Sequence, residues 1–344
     1  MAAENGEKKR DMLEDHKRTG AYYNACLQNR RQFAGKVVLD VGTGSGILAI
    51  FAAKAGARKV YAVEATSMAQ HAKQLVTAQG LDGVVEVIQG TIESVELPEK
   101  VDVIISEWMG YFLLRESMLD SVLVARDRFL APGGALYPSH ARLFLAPIRS
   151  GSCHQRMAEF QNMMEGWGEF LDDMRRYYGV DMDCLSEPFR QEQREYYSQT
   201  ASWTDIHPSQ MLGPGACFKK YDLRTVTLEE LQAPLKASIT LDITEDGHVE
   251  ALCGYFDTQF KGSPENPADC DVTLSTAPDP TGATHWGQQS FFLHPPVEVR
   301  SGDSLACEIE VVRRRDNHRL MEVTIKHKVV GKSGSERTSR FKIE

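Results

Sequence analysis

The 344-residue sequence lacks an excess of positive charge. Lys and Arg number 39 against 48 Asp and Glu, which gives a net charge of −9. Nucleic acids and anionic membranes attract cationic surfaces, so this balance argues against a general binder of either and favours a cationic substrate. The short basic run Arg313-Arg314-Arg315 is typical of a solvated strand end, and we assign it no function.

Closely spaced cysteines and long apolar stretches are also missing. The seven cysteines include no C-x-x-C pair, which argues against structural zinc and a disulfide framework and indicates reduced thiols. The most apolar segments, 47–53 and 101–114, are too short for a membrane span or carry acidic residues, and the charged N-terminus does not resemble a signal peptide. We expect a protein of the cytoplasm and nucleus, with no metal site and no membrane or direct nucleic-acid partner.

The pattern of apolar residues divides the chain into two unlike halves. Between residues 35 and 138, β-branched runs alternate with helical patterns, which is typical of parallel βαβ units and predicts a doubly wound open sheet. A helical segment is expected before it, over residues 1–34. The predicted strands span 36–41, 59–63, 84–88 and 101–105, and the predicted helices span 47–54, 67–79 and about 115–129.

The second half, residues 139–344, has the alternation and turn residues of antiparallel strands. Two hairpins are predicted, and they pair 238–244 with 249–260 and 305–313 with 320–329. A segment from about 160 to 203 is helical in composition and rich in aromatic residues. So apolar an insertion needs a surface that buries it, either in its own domain or on another subunit.

A glycine-rich loop, Asp40-Val41-Gly42-Thr43-Gly44-Ser45-Gly46, connects the first strand of the predicted sheet to its first helix. Glycines allow the backbone to approach a ligand closely, and the N–H groups at a helix start point outward. A dinucleotide loop needs G-x-G-x-x-G, but Ile47 stands at the sixth position, so nicotinamide binding is disfavoured. The D-x-G-x-G-x-G pattern resembles motif I of class I S-adenosylmethionine methyltransferases.

Two acids follow the next two strands. Glu64 lies 22 positions after Gly42, where a carboxylate can accept hydrogen bonds from both ribose hydroxyls of NAD or S-adenosylmethionine. Glu93 follows the strand 84–88 and is placed to accept a hydrogen bond from an adenine amino group. The alternative for both is a solvated loop acid.

Glu107 and Glu116 lie on the loop after the strand 101–105, at the carboxyl edge of the predicted sheet. Two carboxylates held together imply a cation between them or a shared proton. The loop sequence S-E-x-M-G-x-x-L-x-x-E resembles the double-glutamate loop of protein arginine methyltransferases. Thr284-His285-Trp286 resembles the family's second substrate-side loop, and segment 12–19 resembles its N-terminal cofactor helix.

The resemblance implies both a fold and a reaction. The fold is a class I, Rossmann-like α/β methyltransferase domain over 35–138, followed by an antiparallel β-barrel domain over 139–344 with a helical dimerisation arm at about 160–203. The reaction transfers methyl groups from S-adenosylmethionine to arginine side chains of proteins and leaves S-adenosylhomocysteine. The expected products are mono- and asymmetric dimethylarginine.

The chemistry of the guanidinium group agrees with this resemblance. Its pKa is above about 12, and its nitrogens are poor nucleophiles because their lone pairs are delocalised. Two carboxylates that bind the guanidinium fork can draw positive charge toward one nitrogen and leave the other better able to attack a sulfonium methyl. We therefore assign Glu107 and Glu116 to guanidinium binding, with either one available to receive the proton.

Roles for individual residues also follow from the resemblance. His285 pairs with Asp15 and relays the released proton, Arg18 pairs with the methionine carboxylate of the cofactor, and Met12 and Met109 shape the wall around the methyl group. Without the resemblance, these are a loop histidine, surface charges and core filler. The implied cofactor contacts are Met12, Arg18, Asp40, Gly42, Thr43, Gly44, Gly46, Glu64, Ala65, Ile92, Glu93, Glu107 and Met118. The implied substrate contacts are Met109, Tyr111 and Trp286.

Family members pair head to tail, with the arm of one subunit on the cofactor domain of the other, which implies a ring-shaped homodimer here. The implied substrates are histone tails or Arg-Gly-rich proteins, and the family carries a cis proline at the domain junction, here Pro138. The family usually begins with a Tyr-Phe-x-x-Tyr helix over the cofactor. No such motif stands before Asp11, so we expect weak cofactor retention or low activity.

Two other functions stay open at this point. One is a cofactor-binding dimeric scaffold with little activity. The other is a small-molecule methyltransferase, which is disfavoured because the paired acids suit a cation and a barrel offers an open face.

Overall fold

The N-terminal residues of the structure form a capped helix. The structure is a computed structural model that describes residues 12–332 and 336–344, apart from the side chain of Cys153. The segment that lacks the lid motif, before residue 12, lies outside the described residues. Asp15 caps helix α1 (His16–Leu27) by accepting a hydrogen bond from the amide of Arg18, and helix α2 (Arg30–Phe33) follows.

The first domain is a parallel sheet flanked by helices. Its strands are β1 (Val37–Val41), β2 (Lys59–Glu64), β3 (Val85–Gln89), β4 (Val101–Ile105) and β5 (Leu130–Tyr137), and its helices are α3 (Ile47–Lys54), α4 (Met68–Ala78) and α5 (Met118–Phe129). The strand order is β3-β2-β1-β4-β5, with parallel pairing throughout. The order reverses between β1 and β4, so the carboxyl ends of these strands form the crevice in which such sheets bind ligands.

The predicted bounds of this sheet agree with the structure to within one residue, except for its last helix. Helix α5 begins at Met118 rather than at about residue 115. Glu116 and Ser117 have φ angles of 81° and 57°, which lie in the left-handed region and cannot continue a right-handed helix.

The second domain consists of antiparallel sheets. Its strands are β6 (His140–Ile148), β7 (Ser202–Thr204), β8 (Ala216–Asp222), β9 (Leu235–Asp242), β10 (Gly247–Gly262), β11 (Pro267–Ser275), β12 (Gln288–Val299), β13 (Ser304–Arg313), β14 (Met321–Val329) and β15 (Arg337–Ile343). One sheet has the order β7-β12-β10-β6-β8, with β11 paired to β10, and the other has the order β15-β14-β13-β9. The peptide bond between Tyr137 and Pro138, at the junction with the first domain, is cis.

One of the two predicted hairpins is wrong. Strand β9 does not pair with β10, although only a short turn separates them; it pairs with β13, while β10 pairs with β6 and β12. The turn between β9 and β10 reverses the direction of the chain. The hydrogen-bond partner of each strand depends instead on the sheet in which that strand is buried. The second predicted hairpin, β13 with β14, is confirmed.

Two helices, α6 (Ser152–Tyr178) and α7 (Ser186–Gln199), form the insertion in the β domain, and the short helix α8 (Leu228–Gln232) follows later. The ring of Trp167 stacks on that of Phe189 at 4.2 Å, which joins the two helices. Many other apolar side chains of the insertion are exposed: Met163, Phe170, Tyr177, Tyr178, Val180, Leu185 and Tyr196. Across the described residues, none of the helices is both long enough and apolar enough to cross a membrane.

Candidate active site

The glycine-rich loop turns between β1 and α3 at the carboxyl edge of the parallel sheet. Gly42 and Gly44 have φ angles of 71° and 55°, which favour glycine. A Cβ atom on Gly42 would lie 2.2 Å from Cε of Met118, the movable end of that side chain, so the positive φ is the stronger reason for glycine here. The loop therefore presents bare backbone to the crevice.

Two buried acids support this loop. Asp40 is fully buried and accepts a hydrogen bond from Oγ1 of Thr43 at 2.5 Å. Burial raises the pKa of Asp40 to about 7, since the hydrogen bonds from Thr43 and from the amide of Ala49 offset the desolvation only in part. Glu64 accepts from the amide of Gly44 at 2.9 Å and, with its other oxygen, from Thr66.

The loop after β4 carries the paired acids in a strained backbone. Phe112, Leu113, Glu116 and Ser117 all have positive φ angles, which non-glycine residues rarely adopt. The amide of Gly110 donates to the carbonyl of Leu113 at 3.0 Å, which closes the loop on itself. Such strain persists only where surrounding contacts determine the conformation.

Those contacts come from helix α1 and from the second domain. The hydroxyl of Tyr22 donates to the carbonyl of Ser106 at 2.9 Å, and Nε1 of Trp286 donates to the carbonyl of Met109 at 3.0 Å. The amide of Glu116 donates to the carbonyl of Arg319 at 2.8 Å. Both domains thus shape the acidic loop.

Glu107 forms a buried ion pair with Arg18. Its Oε2 accepts from Nε and Nη2 of Arg18 at 3.1 and 2.9 Å, and its Oε1 accepts from the amide of Met109 at 3.2 Å. The side chains of Glu107 and Arg18 are only 6% and 7% exposed. Removing one member of such a pair leaves a buried charge without its partner, which is costly.

Glu116 is more exposed and meets two other arginines. Its Oε1 accepts from Nη1 of Arg115 at 3.2 Å, and its Oε2 lies 3.4 Å from Nη2 of Arg319. Each of the two acids is therefore held by guanidinium groups of the same chain.

His285 and Asp15 form a second pair beside the acidic loop. Nδ1 of His285 lies 2.7 Å from Oδ2 of Asp15, which also accepts the amide of His285 at 2.9 Å. Burial raises the pKa of Asp15, but hydrogen bonds from His285 and from the amide of Arg18 outweigh it, and the net pKa is lowered. Asp15 is thus ionised at neutral pH.

These elements enclose a cavity of about 330 Å³. Twelve of the predicted site residues line it: Met12, Arg18, Gly42, Thr43, Gly44, Glu107, Met109, Tyr111, Glu116, Met118, His285 and Trp286. The structure thereby brings both acids, the glycine loop and the histidine to one space.

Seven other predicted site residues do not line this cavity: Asp15, Asp40, Gly46, Glu64, Ala65, Ile92 and Glu93. Three of them contact residues that do line it. Asp15 pairs with His285, Asp40 accepts a hydrogen bond from Thr43, and Glu64 accepts one from Gly44. Glu93 accepts a hydrogen bond from Oγ of Ser121 at 2.8 Å. The nucleoside contacts assigned to Glu64 and Glu93 stay predictions.

Sequence reasoning missed several residues of the lining. Trp108 is 2% exposed, and its Nε1 has no hydrogen-bond partner among the residues that the structure describes. Its place between Glu107 and Met109 was the available signal. Met68 also lines the cavity, and its position shortly after the end of β2 was a similar signal. Arg319 does not line the cavity but contacts Glu116, and no local signal in the sequence marks it.

Comparisons with known proteins agree with this geometry. A family model described as the arginine methyltransferase oligomerization subdomain matches residues 139–332, and a methyltransferase domain model matches residues 38–134. Protein arginine N-methyltransferase PRMT10 of Oryza sativa subsp. japonica is 51% identical over 328 residues, which cover 95% of this chain and 86% of the relative.

The chain belongs to the protein arginine N-methyltransferase family.

Solved structures of this arginine methyltransferase family share the whole fold. Protein arginine methyltransferase 10 of Arabidopsis thaliana, described as having a uniquely open conformation, is 48% identical with a TM-score of 0.94, and the match covers 98% of this chain and 97% of that one. The Trypanosoma brucei PRMT1 enzyme-prozyme heterotetrameric complex with AdoHcy is 32% identical with a TM-score of 0.82, and the match covers 98% of each chain. The predicted family, fold class, S-adenosylmethionine cofactor and arginine methyltransferase activity are confirmed.

The residues of this arginine methyltransferase fit its cofactor. Gly42 leaves a cradle that a Cβ atom would fill, and Met12, Met109 and Met118 supply apolar, polarizable walls. Arg18 lines the same cavity, but its guanidinium donates to Glu107 and to the carbonyl of Met12, so its contact with the cofactor carboxylate stays a prediction. The site therefore combines a backbone cradle, an apolar wall and one cation.

The substitution Asp40→Asn should flatten the pH dependence of stability of this methyltransferase between about pH 4 and 7. Because the pKa of Asp40 is raised, the folded chain binds more protons than the unfolded chain in that window, so the wild type loses stability as pH rises. The loss should be on the order of 3 kcal/mol. Urea unfolding of both chains across this pH range measures it.

The exposed acid Asp271 provides the control, since Asp271→Asn replaces a carboxyl in the same way at the surface of β11. Parallel pH curves for the wild type and the Asp40 variant would contradict the assignment.

Proposed function

We propose that Glu107 and Glu116 bind the substrate guanidinium of this arginine methyltransferase and that its final product is asymmetric dimethylarginine. The observation that carries the proposal is that both acids line one cavity of about 330 Å³ together with Gly42 and Gly44. S-adenosylmethionine, when bound, supplies an electrophilic methyl group on a sulfonium. The chain's own residues have to present a nucleophilic nitrogen to it.

The two acids perform this task by charge. A carboxylate binds two guanidinium N–H groups through charge-assisted hydrogen bonds and draws positive charge toward them. The guanidinium nitrogen farthest from the acids then has the more available lone pair. Glu107 is held by Arg18 and by the amide of Met109, so it is the more rigidly positioned of the two acids.

His285 and Asp15 are proposed to remove the proton released by methylation. The short contact to Asp15 places the hydrogen of the neutral ring on Nδ1 and leaves Nε2 as the acceptor. The ionised Asp15 also stabilises the imidazolium that forms when Nε2 takes a proton. His285 lines the same cavity as the two acids.

The asymmetric product is proposed from the wall of the cavity. Met12, His285 and Trp286 line it. Met12 and the segment Thr284-His285-Trp286 resemble those of family members that place both methyl groups on one nitrogen. Trp286 is buried and anchored to Met109, so the wall is fixed on that side. A fixed wall favours one orientation of the methylated guanidinium.

A homodimer through the insertion of α6 and α7 is also proposed. The oligomerization subdomain spans residues 139–332 and includes the insertion. The exposed aromatic side chains of α6 and α7 form an apolar surface of the kind that a partner buries. The second copy would place its cofactor domain on this surface.

The net charge supports a proposal for the substrates, and the cysteines support one for the cellular location. The net charge of −9 suits cationic segments such as histone tails or Arg-Gly-rich proteins. The unpaired cysteine pattern suits the cytoplasm and nucleus. Fluorescence imaging of a tagged chain tests the location.

Glu107→Gln and Glu116→Gln should each lower kcat/KM for an Arg-Gly-rich peptide by on the order of 100-fold or more. Each variant keeps the shape of the side chain and removes the charge that polarises the guanidinium. Transfer of label from S-adenosylmethionine measures the rate, and fragment ions in mass spectrometry identify the dimethyl isomer.

The exposed acid Glu265 serves as the matched control, since Glu265→Gln removes a charge far from the loop in sequence. Thermal unfolding checks the fold of the Glu107 variant, because its partner Arg18 is buried. Full activity of either acidic-loop variant, or a symmetric product, would refute the respective proposal. A wild-type chain that binds cofactor and transfers no label is a scaffold.

Replacing Tyr177 and Tyr178 together by serine should weaken the homodimer by roughly 100-fold in Kd. These side chains are 65% and 72% exposed at the end of α6. Sedimentation equilibrium of the wild type, the double variant and a Val330→Ser control measures the effect. Val330 is 53% exposed and lies outside the insertion. A double variant with the dimer affinity of the wild type would argue against an interface there.

A further inference from the structure

Within the part of the chain that the structure describes, Glu116 contacts two guanidinium groups that differ in mobility. Arg115 binds Oε1, packs over the ring of Tyr111 and is 19% exposed. Arg319 faces Oε2 at 3.4 Å and is 67% exposed. Arg115 is therefore a fixed neighbour, whereas the side chain of Arg319 can move into solvent.

The backbone around Arg319 holds the acidic loop independently of the guanidinium. The carbonyl of Arg319 accepts the amide of Glu116 at 2.8 Å, and the carbonyl of His318 accepts the hydroxyl of Ser117 at 2.6 Å. The amide of Arg319 is itself held by the side chain of Asn317 at 3.0 Å. Replacing the side chain of Arg319 thus leaves these loop contacts in place.

We propose that Arg319 is a specificity-determining residue that occupies Oε2 of Glu116 in the resting enzyme until the substrate guanidinium displaces it. The proposal rests on the proposed role of Glu116 as a guanidinium ligand. An exposed ion pair is weak and screened by solvent, so a substrate guanidinium that meets both acids replaces it. Arg319 then weakens the binding of substrate arginines, because each of them has to displace it from Glu116.

The charge balance of the cavity supports this assignment. Glu107 is paired with the buried Arg18 and is only 6% exposed. Glu116 is 36% exposed, and its contact with Arg319 faces solvent. A second cation beside Glu116 opposes the entry of a cationic side chain. Removing it should therefore favour substrate binding and leave the transfer step unchanged.

The test is the substitution Arg319→Gln in the full chain, assayed with an Arg-Gly-rich peptide at saturating S-adenosylmethionine. KM for the peptide should fall about 3- to 5-fold, which matches the strength of an exposed ion pair, while kcat changes less than about 2-fold. The difference in KM should shrink at about 0.5 M salt, because salt screens exposed charges. Arg319→Lys keeps the charge and should keep a KM near that of the wild type.

Arg315→Gln is the matched control. Arg315 is exposed in the same turn and forms no ion pair among the residues that the structure describes, so this variant removes the same charge without touching Glu116. An unchanged or raised KM in the Arg319→Gln variant, a loss of kcat at constant KM, or an equal effect in the Arg315 control overturns the proposal. A wild-type chain that transfers no methyl overturns the proposed function and this inference together. The outcomes of the Arg319 variant in an active enzyme overturn only this inference, so the two failures are distinguishable.

Discussion

Two carboxylates that face one small cavity repel each other unless cations hold them in place. This chain supplies those cations itself. Arg18 neutralises Glu107 in near-complete burial, where an ion pair is hard to break, and Arg115 and Arg319 meet Glu116 nearer to solvent. The two acids are thus unequal, with one fixed by its surroundings and the other adjustable.

The loop that carries these two acids has a backbone conformation that it would not adopt alone. Each non-glycine residue in the left-handed region costs roughly 1 to 3 kcal/mol, and four of them lie between Phe112 and Ser117. Contacts from Tyr22, Trp286 and Arg319 hold this conformation. The geometry of the acidic loop is therefore a property of the assembled two-domain chain.

The sequence predicted the parts of the site that depend on local rules. The glycine spacing after β1 placed the cradle, the apolar run at Ile47–Lys54 gave its helix, and the spacing of Glu107 and Glu116 pointed to a cation. These features need only neighbouring residues for their effect.

Features that depend on distant pairing could not be read in this way. Alternation along β9 does not reveal that β13, more than sixty residues later, supplies its hydrogen bonds. The contact of Arg319 with Glu116 spans 203 positions. The predicted start of α5 is too early because helix propensity does not reveal the left-handed turn at Glu116 and Ser117.

The seam between the domains has an evolutionary consequence. A fragment ending at Pro138 would retain the nucleoside cradle but lack His285, Trp286 and the carbonyls that orient Glu116. Gene fission there would separate recognition of the methyl donor from the chemistry of transfer. Selection for turnover must then act on both halves as one heritable unit.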